Sequence, residues 1–216
     1  MELLSEEQMR YIEQLVERYP TLETIKKNII EAYHAMESCY QYGGKLLIAG
    51  NGGSAADAEH IVGELMKSFR KPRPIKRELA DKLHSCYKEK GEKLGKRLES
   101  PLTAIALTDQ NALTTAYAND VDWELAVAQQ LLGVGRKGDV FLAISTSGNS
   151  SNMEYAAMTA QAMGIKVIEL TGSDGGRLAH YADITVKTPE KETYRVQEYH
   201  IPIYHCWCLM LEEKFF

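Results

Sequence analysis

The sequence predicts a doubly wound α/β fold, a five-stranded parallel sheet with helices on both faces. Three observations carry this. Five short segments, 45–50, 103–107, 139–145, 166–170 and 184–187, are apolar or β-branched on both faces, as strands covered on two sides are. Helical periodicity lies between them. The first and third segments lead through glycine- or hydroxyl-rich turns straight into helices, where such sheets hold ligands.

Taken in order, Ser5 and Gln8 form a capping-box pattern ahead of a helix ending near Tyr19. Pro20 and Thr21 begin a second, with Ile25, Ile29, Tyr33, Met36 and Tyr40 at helical spacing and Gly43-Gly44 as its stop. Both precede the first strand, so residues 1–42 read as a helical arm whose apolar side seeks a partner subunit. Further helices are expected over 54–69, 121–132, 151–163 and 193–213.

Residues 71–100 break the alternation, with ten Lys or Arg against five Asp or Glu and no strand character. Sparse Leu79, Leu83, Leu94 and Leu98 predict a helical insertion. A charged run of this kind is usually a solvated face; the sharper reading is a lid whose basic residues hold an anionic substrate.

Composition bounds the function. The chain has 216 residues, 44% hydrophobic and 25% charged, with a net charge of −5. This is ordinary for a globular protein and gives no reason to expect nucleic acid or a membrane as partner. The four cysteines form no paired motif, and the acidic first twenty residues carry no apolar signal core. A reducing, cytoplasmic setting is the expectation.

The chemistry sits in three places. In "GNGGSAADAEHIVGEL" (50–65), Asn51-Gly52-Gly53 lets backbone N–H groups approach a ligand, and Ser54 reads as the helix cap with Asp57 as its reciprocal partner. His60 and Glu64 follow at i and i+4 on one face, either a polar surface pair or, in a half-buried setting, a proton shuttle. In "STSGNSSN" (145–152), Ser145, Thr146, Ser147 and Ser150 can surround a phosphate without a lysine. A dinucleotide site would want an acidic residue about 20 positions beyond the glycines. "KSFRKPRP" stands there instead, so a single sugar phosphate is favoured and no nucleotide cofactor is expected.

The third place is the closing helix, "YRVQEYHIPIYHCWCLMLEE". Gln197 and His205 lie eight residues apart, roughly 12 Å along a helix. They share one metal only if their side chains lean together or Pro202 alters the spacing. His200 reads as structural, and Cys206 and Cys208 as core.

Together these motifs, with "AND" (118–120), "LTGSDGG" (170–176) and "RVQEYHIPIYH" (195–205), resemble the sugar isomerase (SIS) domain family, and within it the sedoheptulose 7-phosphate (phosphoheptose) isomerases. The likeness spans nearly the whole chain except 71–100. It implies a single SIS domain, a homotetramer with sites between subunits, and conversion of sedoheptulose 7-phosphate to D-glycero-D-manno-heptose 7-phosphate for lipopolysaccharide or other heptose glycans. It implies catalysis by Glu64 and His205 through a cis-enediol. Asn51, Gly52, Gly53, Ser54, Glu64, Asn119, Asp120 and Gln197 would hold the sugar, and Ser145, Thr146, Ser147 and Ser150 its phosphate. Zinc, where the family has it, would sit among His60, Glu64, Gln197 and His205. Asn119 and Asp120 read equally well as a turn and cap before 121–132.

The sequence departs from the family pattern in the 71–100 insertion, in Pro202, and in Lys67-Ser68-Phe69-Arg70, which replaces a Gly-Arg-aromatic pattern. Two other readings stand beside the heptose isomerase. One is an isomerase of another phosphosugar. The other is a non-catalytic SIS protein that binds a phosphosugar or a replication initiator, a class lacking the catalytic Glu and terminal His.

Overall fold

The computed structural model describes residues 3–216. Its strands are β1 (Leu46–Gly50), β2 (Ala104–Ala106), β3 (Val140–Ser145), β4 (Lys166–Thr171) and β5 (Ile184–Lys187). They form one sheet in the order β2-β1-β3-β4-β5, every pairing parallel. Each expected strand is present. Their side chains alternate between two cores: Leu46, Ile48, Val140, Leu142 and Ile144 face one, Leu47, Ala49, Phe141 and Ala143 the other. Burial on both faces is why these segments lack a polar stripe.

The helices are α1 (Glu6–Arg18), α2 (Lys26–Gln41), α3 (Gly53–Met66), α4 (Arg77–Tyr87), α5 (Glu89–Arg97), α6 (Asn111–Tyr117), α7 (Ala126–Val134), α8 (Ser151–Ala162) and α9 (Thr193–Phe215). Buried residues of α1, α2, α3 and α9 build the first core, and those of α7 and α8 the second.

Ser5 and Gln8 form the expected capping box on α1. The helical segment expected to be an arm seeking a partner instead buries its apolar side within the same chain. Leu22 and Ile29 are fully buried, each contributing roughly 1.5–3 kcal/mol. The Gln8 amide meets the Tyr33 hydroxyl and donates to the Met210 carbonyl. Trp207 Nε1 donates to the Ile29 carbonyl at 2.9 Å. The long α9 offers a surface broad enough to cover both N-terminal helices.

Residues 71–100 are helical as expected, as the α4–α5 hairpin. Its only buried residue is Gly91, where a Cβ would collide with the Leu83 carbonyl of the facing helix. Leu79, Tyr87, Leu94 and Leu98 are exposed. The hairpin stands on a neck made by the Pro74–Glu99 bridge, Ser68 N and Oγ on the Glu99 carboxylate, and Ser100 N on the Arg73 carbonyl. Among the described residues no hydrogen bond or ion pair joins α4 or α5 to residues 51–54 or 145–150, so the geometry favours the solvated reading over the lid.

One helix start differs from expectation, and one helix was not expected. The helix expected over 121–132 starts at Ala126, because 118–122 is a π-helical turn and 123–125 a 3-10 turn. Ahead of it lies α6, which buries no residue and so leaves no apolar period in the sequence.

Candidate active site

The strand order reverses between β1 and β3, and the turns after these two strands face each other there, the ligand crevice of open parallel sheets. Asn51 follows β1 and Asn152 opens α8. Each side-chain amide donates to the other's carbonyl oxygen, at 3.0 and 2.8 Å, tying the glycine turn to the hydroxyl turn. Ser145 Oγ and Ser150 Oγ lie 3.2 Å apart, and Gly148 turns the loop with φ +64°.

The glycine turn is built differently from the expected cap. Gly52 is the N-cap of α3 and no side chain caps it. Ser54 is already inside the helix, its N–H on the Asn51 carbonyl. Asp57 is buried and accepts from the Tyr204 hydroxyl at 3.3 Å. Its other oxygen, Oδ2, has no partner, and burial raises its pKa. A position-three carboxylate can reach back to a cap only if it is not drawn to another helix, and α9 draws this one.

α3 and α9 run side by side in the same direction. At one end the Gln197 amide packs on Gly53, where a Cβ would collide with it. Further along, Tyr204 meets Asp57 and His60; beyond that, His205 meets His60. Tyr204 OH lies 2.9 Å from His60 Nδ1. With that hydroxyl donating to Asp57, the His60 proton belongs on Nδ1, leaving Nε2 with a free lone pair. His60 Nε2 is 3.4 Å from both His205 Nε2 and Glu64 Oε1.

The His60 side chain is 45% exposed against 15% for Glu64. His205 is shielded enough that burial, then the neighbouring His60, lower its pKa. Lys67 Nζ sits 3.3 Å from Glu64 Oε2, so the unusual Lys67 touches the carboxylate directly. His205 also borders a cavity of about 310 Å³ between α1 and α9, lined by Tyr11, Arg18, Ile201 and Pro202 among others.

The fold therefore brings His60, Glu64 and His205 into one cluster, and Asn51, Ser145 and Ser150 into the crevice wall. Gln197 joins the glycine turn, away from the imidazoles. Asn119 and Asp120 lie exposed on the π-helical turn, bonded to each other at 2.8 Å. The cap role belongs to Asp122, which accepts from Glu124 N. Sequence reasoning missed Tyr204, Asn152 and Lys67. Only Lys67 left a signal, its i+3 spacing from Glu64.

For zinc, the donor chemistry fits in part. The two 3.4 Å separations around His60 Nε2 match the edge of a ligand tetrahedron with bonds of about 2.0–2.1 Å. Yet among the described residues no group of three or more His, Cys, Asp or Glu is arranged to hold an ion. Among them, too, no helix is long and apolar enough to cross a membrane.

Comparison with known proteins adds the family. The SIS domain family matches residues 10–100 and 94–172. The phosphoheptose isomerase of Aneurinibacillus thermoaerophilus is 41% identical over 177 residues, 82% of this chain and 76% of that one. That of Laribacter hongkongensis is 34% identical over 211 residues, covering 96% and 94%. Among solved structures, phosphoheptose isomerase GmhA from Neisseria gonorrhoeae superposes with a TM-score of 0.73 at 30% identity, covering 96% and 94%. A phosphoheptose isomerase from Francisella tularensis gives 0.75 at 31%, covering 94% and 95%. With a five-stranded parallel sheet, a crevice at its switch point and these relatives, the chain belongs to the SIS domain family.

Proposed function

We propose that this chain is an aldose–ketose isomerase of a phosphorylated sugar, converting sedoheptulose 7-phosphate to D-glycero-D-manno-heptose 7-phosphate. One observation carries the reading: Glu64 of α3 and His205 of α9, far apart in sequence, both lie 3.4 Å from His60 Nε2. The phosphoheptose isomerase relatives supply the substrate class.

In this reading Ser145, Thr146, Ser147 and Ser150 bind the phosphate, with the start of α8 behind them. Asn51, Gly52, Gly53, Ser54, Gln197, Asn119 and Asp120 hold the sugar chain. The Glu64 carboxylate removes a proton from C1 of the ketose while the C2 oxygen takes one from His205, giving a cis-enediol. The proton then returns to C2 as the C1 hydroxyl gives up its own, leaving the aldehyde. Burial and the neighbouring His60 lower the His205 pKa, which favours an imidazole able to pass protons between the two oxygens. Tyr204 and Asp57 fix the ring of His60.

His60, Glu64 and His205 would hold zinc only after their side chains shift from the present arrangement, with Gln197 as fourth donor once its amide turns from Gly53. The metal would polarise the substrate oxygens. The resemblance to phosphoheptose isomerases extends the reading to a homotetramer and to heptose supply for lipopolysaccharide or other heptose-containing glycans.

An assay of purified protein against phosphorylated ketoses tests it. Sedoheptulose 7-phosphate is expected to be turned over, and Glu64→Gln to lose about 10²–10⁴-fold in kcat. Undiminished interconversion by Glu64→Gln would remove the proton shuttle. Phosphosugar binding without turnover in the native protein would favour a sensing module. Metal analysis, with His60→Ala as control, tests zinc, and light scattering tests the tetramer.

A further inference from the structure

Behind the hydroxyl turn lies a carboxyl that the proposed reaction does not use. Glu169, in the middle of β4, is fully buried, and neither of its oxygens has a hydrogen-bond partner of good geometry. Its sheet neighbours are Ala143 of β3 and Thr185 of β5. Thr171, two residues on and on the same face, donates its hydroxyl to the Ser145 carbonyl at 2.6 Å, where the turn begins. A Cβ built on Gly148, at the tip of the same turn, would lie 2.9 Å from Glu169 Oε1. The carboxyl thus stands directly behind the backbone expected to receive an anion.

We infer that Glu169 is a positioning residue of the phosphate-binding turn, its side chain filling the space behind Gly148 and holding residues 145–150 in their anion-accepting form. The inference rests on the proposed function in taking this turn as the phosphate site. A carboxylate there would be a second negative charge beside a bound phosphate, so binding must weaken when Glu169 ionises. Burial pushes its pKa up to about 8, against the opposing pull of the Thr185 hydroxyl and the Lys187 ammonium. Of the other charges near the turn, Asp174 pairs with Lys191 at 3.0 Å and Arg177 with Glu154 at 2.7 Å. Glu169 is therefore neutral at pH 7 and ionises over the range where an enzyme assay is still practical.

Glu169→Gln keeps the shape and removes the titration. Calorimetric binding of sedoheptulose 7-phosphate and of inorganic phosphate, from pH 6.5 to 9.5, is compared for both proteins, with amide hydrogen exchange of residues 145–150. Near pH 7 the two should agree. Above pH 8 the native protein should lose affinity by about threefold or more relative to Glu169→Gln, and its 145–150 amides should exchange faster after correction for intrinsic rates. Glu169→Ala, which empties the space, should bind more weakly already at pH 7 if it folds. Parallel affinity and exchange profiles for native protein and Glu169→Gln would overturn the inference. If neither protein binds the phosphosugar, the proposed function fails, and the exchange contrast alone decides the role of Glu169.

Discussion

Asn51 and Asn152 exchange two amide hydrogen bonds, at 3.0 and 2.8 Å, across the point where the strand order reverses. A cyclic pair of this kind sets the separation of the two ligand turns, since neither amide can shift without breaking both bonds. Asn152→Ala leaves Asn51 without its partner. We expect KM for the phosphosugar to rise about tenfold, equivalent to roughly 1.4 kcal/mol, with a smaller change in kcat. An unchanged KM would show that the turns are spaced by the sheet alone.

Tyr204 acts on His60 from behind. Tyr204→Phe keeps the ring in the core and deletes the hydroxyl that joins His60 Nδ1 to Asp57. Activity should fall about 10–100-fold, with thermal stability little altered. A drop in activity matched by a proportional loss of folded protein would instead mark Tyr204 as a packing residue.

Glu212 holds the base of the basic hairpin. Its carboxylate accepts from the backbone N–H of Phe69, Arg70 and Lys71 and from Arg73 Nε at 2.8 Å. Arg73 and Glu212 are both buried. Although burial opposes ionisation, these donors hold the Glu212 pKa below its usual value. Glu212→Ala strands the Arg73 charge, and urea unfolding should report a loss of about 3–5 kcal/mol. Deleting 77–97 behind an intact neck should cost far less, because the hairpin helices bury so little.

His200 predicts an acid limb of stability. Burial lowers its pKa from 6.5 to about 4, and neither ring nitrogen has a hydrogen-bond partner of good geometry. Above pH 6.5 the residue is neutral in both folded and unfolded chains and contributes nothing. As pH falls from 6.5 toward 4, the unfolded chain takes up a proton that the fold refuses. Stability should drop by on the order of 3 kcal/mol over that window and level off below it. His200→Leu should flatten the profile measured by denaturant unfolding across the same pH range.

The sequence alone determined every strand, the position of the turns after β1 and β3, and α1, α3, α8 and α9 to within a few residues. These are local properties: burial on two faces removes polar residues from a strand, and a turn ahead of a helix needs glycine or hydroxyls wherever it lies. It also named His60 and Glu64 from their i, i+4 spacing, and His205 through the family resemblance of the closing helix.

The tertiary structure decided the rest. Asp57 reads as a cap partner until α9 brings Tyr204 to it, and residues 1–42 read as an arm until α9 covers them. Asn51 and Asn152, Lys67 and Glu64, and Glu169 and Gly148 acquire their roles through contact. Only Lys67 and Glu64 are close in sequence. Spacing along one helix reports which residues share a face; it carries no information about which strand or helix that face will meet.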